Sequence, residues 1–255
     1  MRRFLTTIMK SILLYHNIAP TLTPYGGAVA PKTFKKHIKF IKHLGLKIMP
    51  PEEFFSSSSG VLITIDDGFE EIYEHVFPVL LEQGISALVF VVSGYAGMKN
   101  DWDITLGKVF THLSWNKINE MHRYGLQIGA HSHLHPDYTR VSDDIVLDDM
   151  ITSYNRISEE IGEKVKYLSY PFGRARREHW EMAEKVGFKR AFTSIPVRTE
   201  NSYFTGRWGI YNIDNTFTIS MKLGLKKNLR GLERLKCYTI NRVSSATGIL
   251  KRYKE

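Results

Sequence analysis

Six short apolar runs, alternating with five amphipathic segments, limit what this chain can fold into more than any other feature. The runs occupy 11–15, 61–65, 86–92, 127–130, 167–170 and 190–194, and the segments between them occupy 31–43, 70–83, 105–124, 143–160 and 176–186. In the first segment Phe34, Ile38, Ile41 and Leu44 fall on one helical face, Pro31 suits a first helical turn and Gly45 suits a stop. Repeated strand–helix alternation predicts a parallel sheet with right-handed crossovers. The expected fold is α/β, a distorted (β/α) barrel of about seven units, with an open doubly wound sheet as the alternative. A chain of 255 residues suits one such domain. The serine run at 56–59 leads straight into a buried strand, so it reads as a loop and not as a linker.

Charge is unevenly spread. The formal net charge is +9, and residues 221–255 hold ten Lys/Arg against two acids, Glu233 and Glu255. We therefore divide the chain into an N-terminal extension (1–8), a catalytic-type domain (9–220) and a basic helical appendage (221–255). The appendage could meet an anionic membrane or an acidic glycan, or it could be a solvated helical face. Its basic residues are not interleaved with aromatics in a recognisable motif, so no nucleic-acid partner is expected. A single cysteine, Cys237, excludes an internal disulfide. The N-terminus resembles a signal peptide only superficially, because Lys10 interrupts its apolar run and no small-residue cleavage site comes closely after it. Nor does any apolar stretch reach the length of a transmembrane helix. The expected location is cytoplasmic, with peripheral contact at the inner face of the membrane.

In a barrel of parallel strands, chemistry gathers at the C-terminal strand ends. Four polar clusters stand there: Tyr15-His16-Asn17, Asp66-Asp67-Gly68, the segment His131-Ser132-His133-Leu134-His135-Pro136, and Tyr170-Pro171-Phe172-Gly173. Adjacent carboxylates at a strand end are costly unless a cation or proton neutralises one. Side chains alternate along a strand, so one can bind a metal while the other acts as a base. Acids there also serve as helix N-caps. His131 and His135 could converge on one cation if their segment turns helically. Two histidines and a carboxylate suit zinc or a similar ion, which activates water and polarises a carbonyl.

These landmarks, in this order, resemble the polysaccharide deacetylase family, the group sharing the NodB homology domain (carbohydrate esterase family 4). The resemblance spans about 11–219. It implies a metal-dependent hydrolase that removes N-acetyl groups from an amino-sugar-containing poly- or oligosaccharide, lipid-linked or free. It further implies Asp66 as general base and Asp67, His131 and His135 as ligands of a divalent ion, Zn2+ or else Co2+, Ni2+ or Mn2+. Ser132 would steady the ligand loop. Tyr170, Pro171, Phe172, Trp102 and Arg207 are expected around the substrate, although Trp102 could equally be core. The family's third motif carries an arginine two residues before its proline, and that position here is Ser169. Arg207, in a later strand-like segment, is the candidate replacement. The N-terminal Tyr15-His16 pair is similar to that of biofilm exopolysaccharide deacetylases, which makes His16 the candidate acid. Two alternatives stay open: hydrolysis of a non-sugar C–N bond on the same fold, and an inactive glycan-binding relative.

Overall fold

The computed structural model describes residues 10–20, 28–101, 109–196 and 201–252, with side chains as far as Asn241. Its strands are β1 (Lys10–Tyr15), β2 (Gly60–Ile65), β3 (Leu88–Val91), β4 (Gln127–Ala130), β5 (Tyr167–Ser169), β6 (Arg190–Thr193), β7 (Thr205–Gly206) and β8 (Trp208–Gly209). Its helices are α1 (Pro31–His43), α2 (Pro51–Ser56), α3 (Phe77–Gln83), α4 (Trp115–Arg123), α5 (Asp143–Ile161), α6 (Arg177–Val186), α7 (Thr216–Lys222) and α8 (Arg230–Arg252).

All strand pairs are parallel, in the order β7-β6-β5-β4-β3-β2-β1-β8. The two outermost strands are consecutive in the chain. Thr205 and Gly206 pair with β6 on one edge, while Trp208 and Gly209 pair with β1 on the other. Residues 205–209 therefore act as one split seventh stave that brings the sheet's two edges together. The result is the distorted, nearly closed barrel expected from the alternation.

Strand alternation divides the core in two. Leu13 and Tyr15, Val61, Ile63 and Ile65, and Leu168 and Tyr170 face outward and pack with the helices in the larger cluster. The inward partners Ile12, Leu62, Leu88, Phe90, Tyr167 and Phe192 form a separate plug, joined by Met49 and Phe54. Phe54 comes from α2, a six-residue helix too short to show a hydrophobic period in the sequence. Gly129 leaves room for this plug, since a Cβ there would lie 2.5 Å from the Phe90 ring. Continuing along the same inward face, the strands lead from the plug up to Thr64 on β2 and Asp66 just after it, to Ser169 on β5 and to His131 after β4.

Two expected helices differ from the structure. The segment 70–83 opens as a wide turn, Ile72–Val76, before α3 begins. Pro78 cannot donate a backbone hydrogen bond to the preceding turn, and the wider turn accommodates its ring. The segment 105–124 is helical only from Trp115. Residues 110–113 spend their backbone groups across the chain instead: Asn100 N–H donates to Phe110 O, Glu70 N–H to Thr111 O, His112 N–H to Met98 O and Leu113 N–H to Gly68 O. The proposed extension 1–8 lies outside the described residues.

The boundary at 221 falls inside α7, and the segment beyond it is not a detached appendage. Lys222 is fully buried, with its ammonium on Gly209 O, Asp214 and Glu233. Lys236 joins Asp214 and Glu233, Cys237 is buried, and the Arg230 guanidinium lies 4.7 Å from the Trp208 ring centre. Hence α7 and the first half of α8 belong to the body of the fold.

A buried histidine ties α1 to this region. His37 Nε2 lies 3.3 Å from Asp214 O, which can only accept, so Nδ1 accepts from the Tyr15 hydroxyl at 3.1 Å. Burial pushes the His37 imidazole down to about 4 from 6.5. The folded state thus binds the proton less well than the unfolded chain. Its contribution is complete above pH 6.5 and is lost as pH falls through about 4. We expect the stability advantage of wild type over His37→Gln, measured by urea unfolding, to shrink by roughly 3 kcal/mol across that window. A gap independent of pH would refute the assignment.

Candidate active site

Three side chains converge at the top of the barrel. Asp67 Oδ1 lies 3.4 Å from His131 Nε2 and 3.7 Å from His135 Nε2, and the two imidazole nitrogens are 3.3 Å apart. Ligands about 2.1 Å from a tetrahedral ion would be about 3.4 Å apart. His131 Nδ1 lies 2.8 Å from Ser169 O, an obligate acceptor, so this nitrogen carries a proton and Nε2 is the atom turned to the shared centre. Both histidines are buried. Burial and the neighbouring His131 charge hold His135 near 3, in the neutral form that ligation requires. Burial opposes charge on Asp67 too, but the facing His131 prevails and holds its carboxyl below the usual range, so it stays ionised. Asp66 and Asp67 draw the His131 imidazole upward against its burial, so ligation there would release a proton; in number and spacing the donor set fits a divalent metal ion.

The backbone is forced to make this geometry. Asp67, Ser132, His135 and Phe172 are the non-glycine residues with positive φ among those described, at 69°, 69°, 56° and 56°. Each costs on the order of 1–3 kcal/mol, and such strain persists only where surrounding contacts over-determine it. Those contacts are identifiable. Ser132 Oγ accepts from His135 N–H at 2.7 Å, and Asp149 on α5 accepts from His133 N–H, Leu134 N–H and the Tyr138 hydroxyl at 3.0, 2.9 and 2.6 Å. His133 points away from the ligand pair and lies 2.9 Å from Ser93 Oγ. His112 supports the other loop, its Nδ1 donating to Asp67 O at 2.8 Å. Below Phe172, a Cβ at Gly173 would fall 1.8 Å from Ser194 Oγ, so only glycine fits.

Asp66 faces a different partner. Arg207 grips it through two parallel hydrogen bonds, Nη1 to Oδ1 and Nη2 to Oδ2, both 2.7 Å. Ser169 Oγ donates to Asp66 Oδ2 at 2.9 Å and accepts from Arg207 Nη2 at 2.8 Å. The guanidinium also reaches Thr193 O and Thr64 Oγ1, and it rests over Phe90 and Phe192 of the plug. Burial raises the Asp66 pKa, but the charges of Arg207 and His131 outweigh it and hold the carboxyl below the usual range. Asp66 Oδ2 lies 3.9 Å from His131 Nε2, beside the three-donor set.

Arg207 thus lies where a replacement for the missing third-motif arginine would have to be, and the small Ser169 leaves it room. It is 0% exposed, so the sequence-based placement at the substrate is corrected: its donors are used inside the barrel. Tyr170 is displaced similarly. It is 0% exposed, faces the outer core and donates its hydroxyl to Tyr203 O. Pro171 is buried beside it, and Phe172 is the member of that trio that meets the ligands, its ring 4.8 Å from His135. His16 is partly exposed at the end of β1, and its charge is felt by both Asp66 and Asp67. Trp102 lies outside the described residues. The sequence reading missed Asp149 and His112. Asp149 shares the buried face of α5 with Val146, Met150, Ser153 and Ile157, and an acid on such a face was a legible signal. His112 lay inside a segment read as helix.

Comparison with known proteins gives the family and the fold. The profile of the polysaccharide deacetylase family matches residues 56–191. YxkH of Bacillus subtilis (strain 168) is 27% identical over 193 residues, covering 72% of this chain and 64% of that protein. The chain thus spans just under two thirds of that relative's length. A poly-beta-1,6-N-acetyl-D-glucosamine N-deacetylase of Staphylococcus aureus (strain N315) is 25% identical over 199 residues, with 71% and 67% covered. The fold matches Streptococcus pyogenes deacetylase PplD, solved in complex with acetate, with a TM-score of 0.73, 20% identity and 86% and 99% coverage. It also matches IcaB from Ammonifex degensii with a TM-score of 0.71, 24% identity and 84% and 97% coverage.

Truncating Arg207 to alanine would leave Asp66 buried without its counter-charge. We expect Arg207→Ala to lose about 3–5 kcal/mol of stability in denaturant titration. Arg207→Lys should recover only part of it, since a point charge cannot replace the two-pronged contact.

Proposed function

Because the chain belongs to the polysaccharide deacetylase family, we propose that it is a metal-dependent hydrolase removing N-acetyl groups from an amino-sugar-containing glycan. The observation that carries this reading is the Asp67/His131/His135 triangle beside a separate, arginine-held carboxylate. Asp67, His131 and His135 would hold the ion, zinc or else cobalt, nickel or manganese. When bound, such an ion polarises the acetyl carbonyl and makes water more acidic.

The remaining chemistry falls to the chain's own residues. Asp66 is ionised and oriented by Arg207 and Ser169, and takes a proton from the attacking water through its carboxylate. His16, at the end of β1, donates a proton to the departing sugar nitrogen. Phe172 walls the opening next to His135 and offers an apolar surface to the acetyl methyl. The Arg207 contact argues against an inactive binding relative, since the charge that orients the base is supplied from another stave. The relatives' activity on poly-N-acetylglucosamine supports an N-acetylated glycan over a small non-sugar amide.

Elemental analysis of purified protein, coupled to acetate release from chitooligosaccharides, tests the proposal. Asp66→Asn should retain stoichiometric metal and lose at least about 10²–10⁴-fold in kcat. His131→Ala should lose metal and turnover together. Full turnover by Asp66→Asn would remove the base assignment, and absence of bound metal in active wild type would remove the metal role. For His16→Ala we expect a kcat drop of similar size with metal retained. A near-normal kcat places the acid elsewhere.

A further inference from the structure

Helix α8 runs up the flank of the barrel. Near its start Arg230 donates to Ser11 Oγ, close to the beginning of β1, and to Lys222 O. Eleven residues later Asn241 Nδ2 reaches Phe172 O and Ser194 Oγ, at the rim of the site. Its inner face holds Glu233 and Cys237, both buried. Its outer face is unusual for a soluble helix. Leu232 and Leu235, three residues apart and so on one face, are 62% and 63% exposed. On the neighbouring α7 and the loop before it, Phe217 and Ile213 are 53% and 64% exposed.

Along the segment that carries the two leucines, the exposed charges have one sign. Lys226, Lys227 and Arg234 are exposed. The acids of residues 221–255 are Glu233 and Glu255, and Glu233 is neutralised inside the fold by Lys222 and Lys236. Between Lys226 and Asn241 the exposed charged side chains are therefore all cationic. A second copy of the same face would meet like charges. Nucleic acid would satisfy the cations but not the exposed leucines. An anionic bilayer satisfies both, since cations pair with lipid headgroups while apolar side chains enter the interface. No helix among the described residues is long and apolar enough to cross a membrane.

We propose that the outer face of α7 and α8, built on Leu232 and Leu235 and flanked by Lys226, Lys227 and Arg234, docks the protein on an anionic lipid surface. Docking there sets the flank of the barrel against the bilayer, with the rim of the site at Asn241 beside it. The proposal is independent of the deacetylase reading, because vesicle binding requires no substrate.

Co-flotation of the full chain with vesicles tests it, using pure phosphatidylcholine against phosphatidylcholine with about one third phosphatidylglycerol. Binding is expected to the anionic vesicles alone and to weaken as salt shortens the Debye length. Leu232→Ser/Leu235→Ser and Lys226→Glu/Lys227→Glu/Arg234→Glu should each weaken binding by about tenfold or more. Circular dichroism and acetate release from soluble oligosaccharide should stay unchanged, which separates a docking defect from misfolding. No binding to anionic vesicles, or binding that survives both variants, overturns the proposal. So does a wild-type dimer in light scattering that the leucine variant abolishes, or duplex DNA binding in place of lipid binding.

Discussion

The Asp66–Arg207 pair sits between two environments that could not otherwise touch. Below it lies the apolar plug of Leu62, Phe90 and Phe192, and above it the polar ligand set of Asp67, His131 and His135. An isolated carboxylate at that depth would carry a desolvation cost of several kcal/mol and would protonate instead. The two-pronged guanidinium contact, with Ser169 bridging both partners, keeps it charged. Arg207 is in turn held from below by aromatic faces and from the side by Thr193 O and Thr64 Oγ1. The charge that fixes Asp66 also lowers its proton affinity. Under the proposed function, an ion held by the adjacent donor triangle would offset this by making the water more acidic.

Strain is distributed around the same centre. Positive φ at Asp67, Ser132, His135 and Phe172 turns three loops inward at once. Each turn is opposed by rigid contacts: His112 on Asp67 O, Ser132 Oγ and Asp149 on the histidine loop, and Gly173 packed against Ser194 below Phe172. Asp67, His131 and His135 are thus held in place by the protein itself, which would reduce the reorganisation that binding an ion requires.

Much of this was legible in the residues. The barrel was readable because buried parallel strands are nearly continuous apolar runs, and all six runs became strands. Asp67, His131 and His135 were readable because ligand chemistry restricts residue type and spacing. Other features depend on non-local geometry. The two-residue strands β7 and β8 have no periodicity to detect, and their pairing with opposite edges is a property of the closed ring. Tyr170 and Arg207 carry groups that suggest substrate contact, and only strand alternation reveals one facing the outer core and the other the barrel's interior. The charge count at the C-terminus was correct, but it could not show that Lys222 and Glu233 are interior groups while Leu232 and Leu235 lie outside.

Placing Arg207 on the closing stave has a consequence for the order in which the molecule matures. The carboxylate it steadies is at position 66, made early in synthesis, while the residue that steadies it emerges 141 positions later. A nascent barrel that has assembled β1–β6 already contains every member of the ligand triangle. It lacks the cation needed to keep Asp66 ionised, so that carboxyl favours its neutral form until 205–209 joins the two edges of the sheet. The counter-charge on Asp66 therefore arrives with ring closure and not with the gathering of Asp67, His131 and His135, so a single two-edged segment couples the closing of the sheet to the state of that carboxyl.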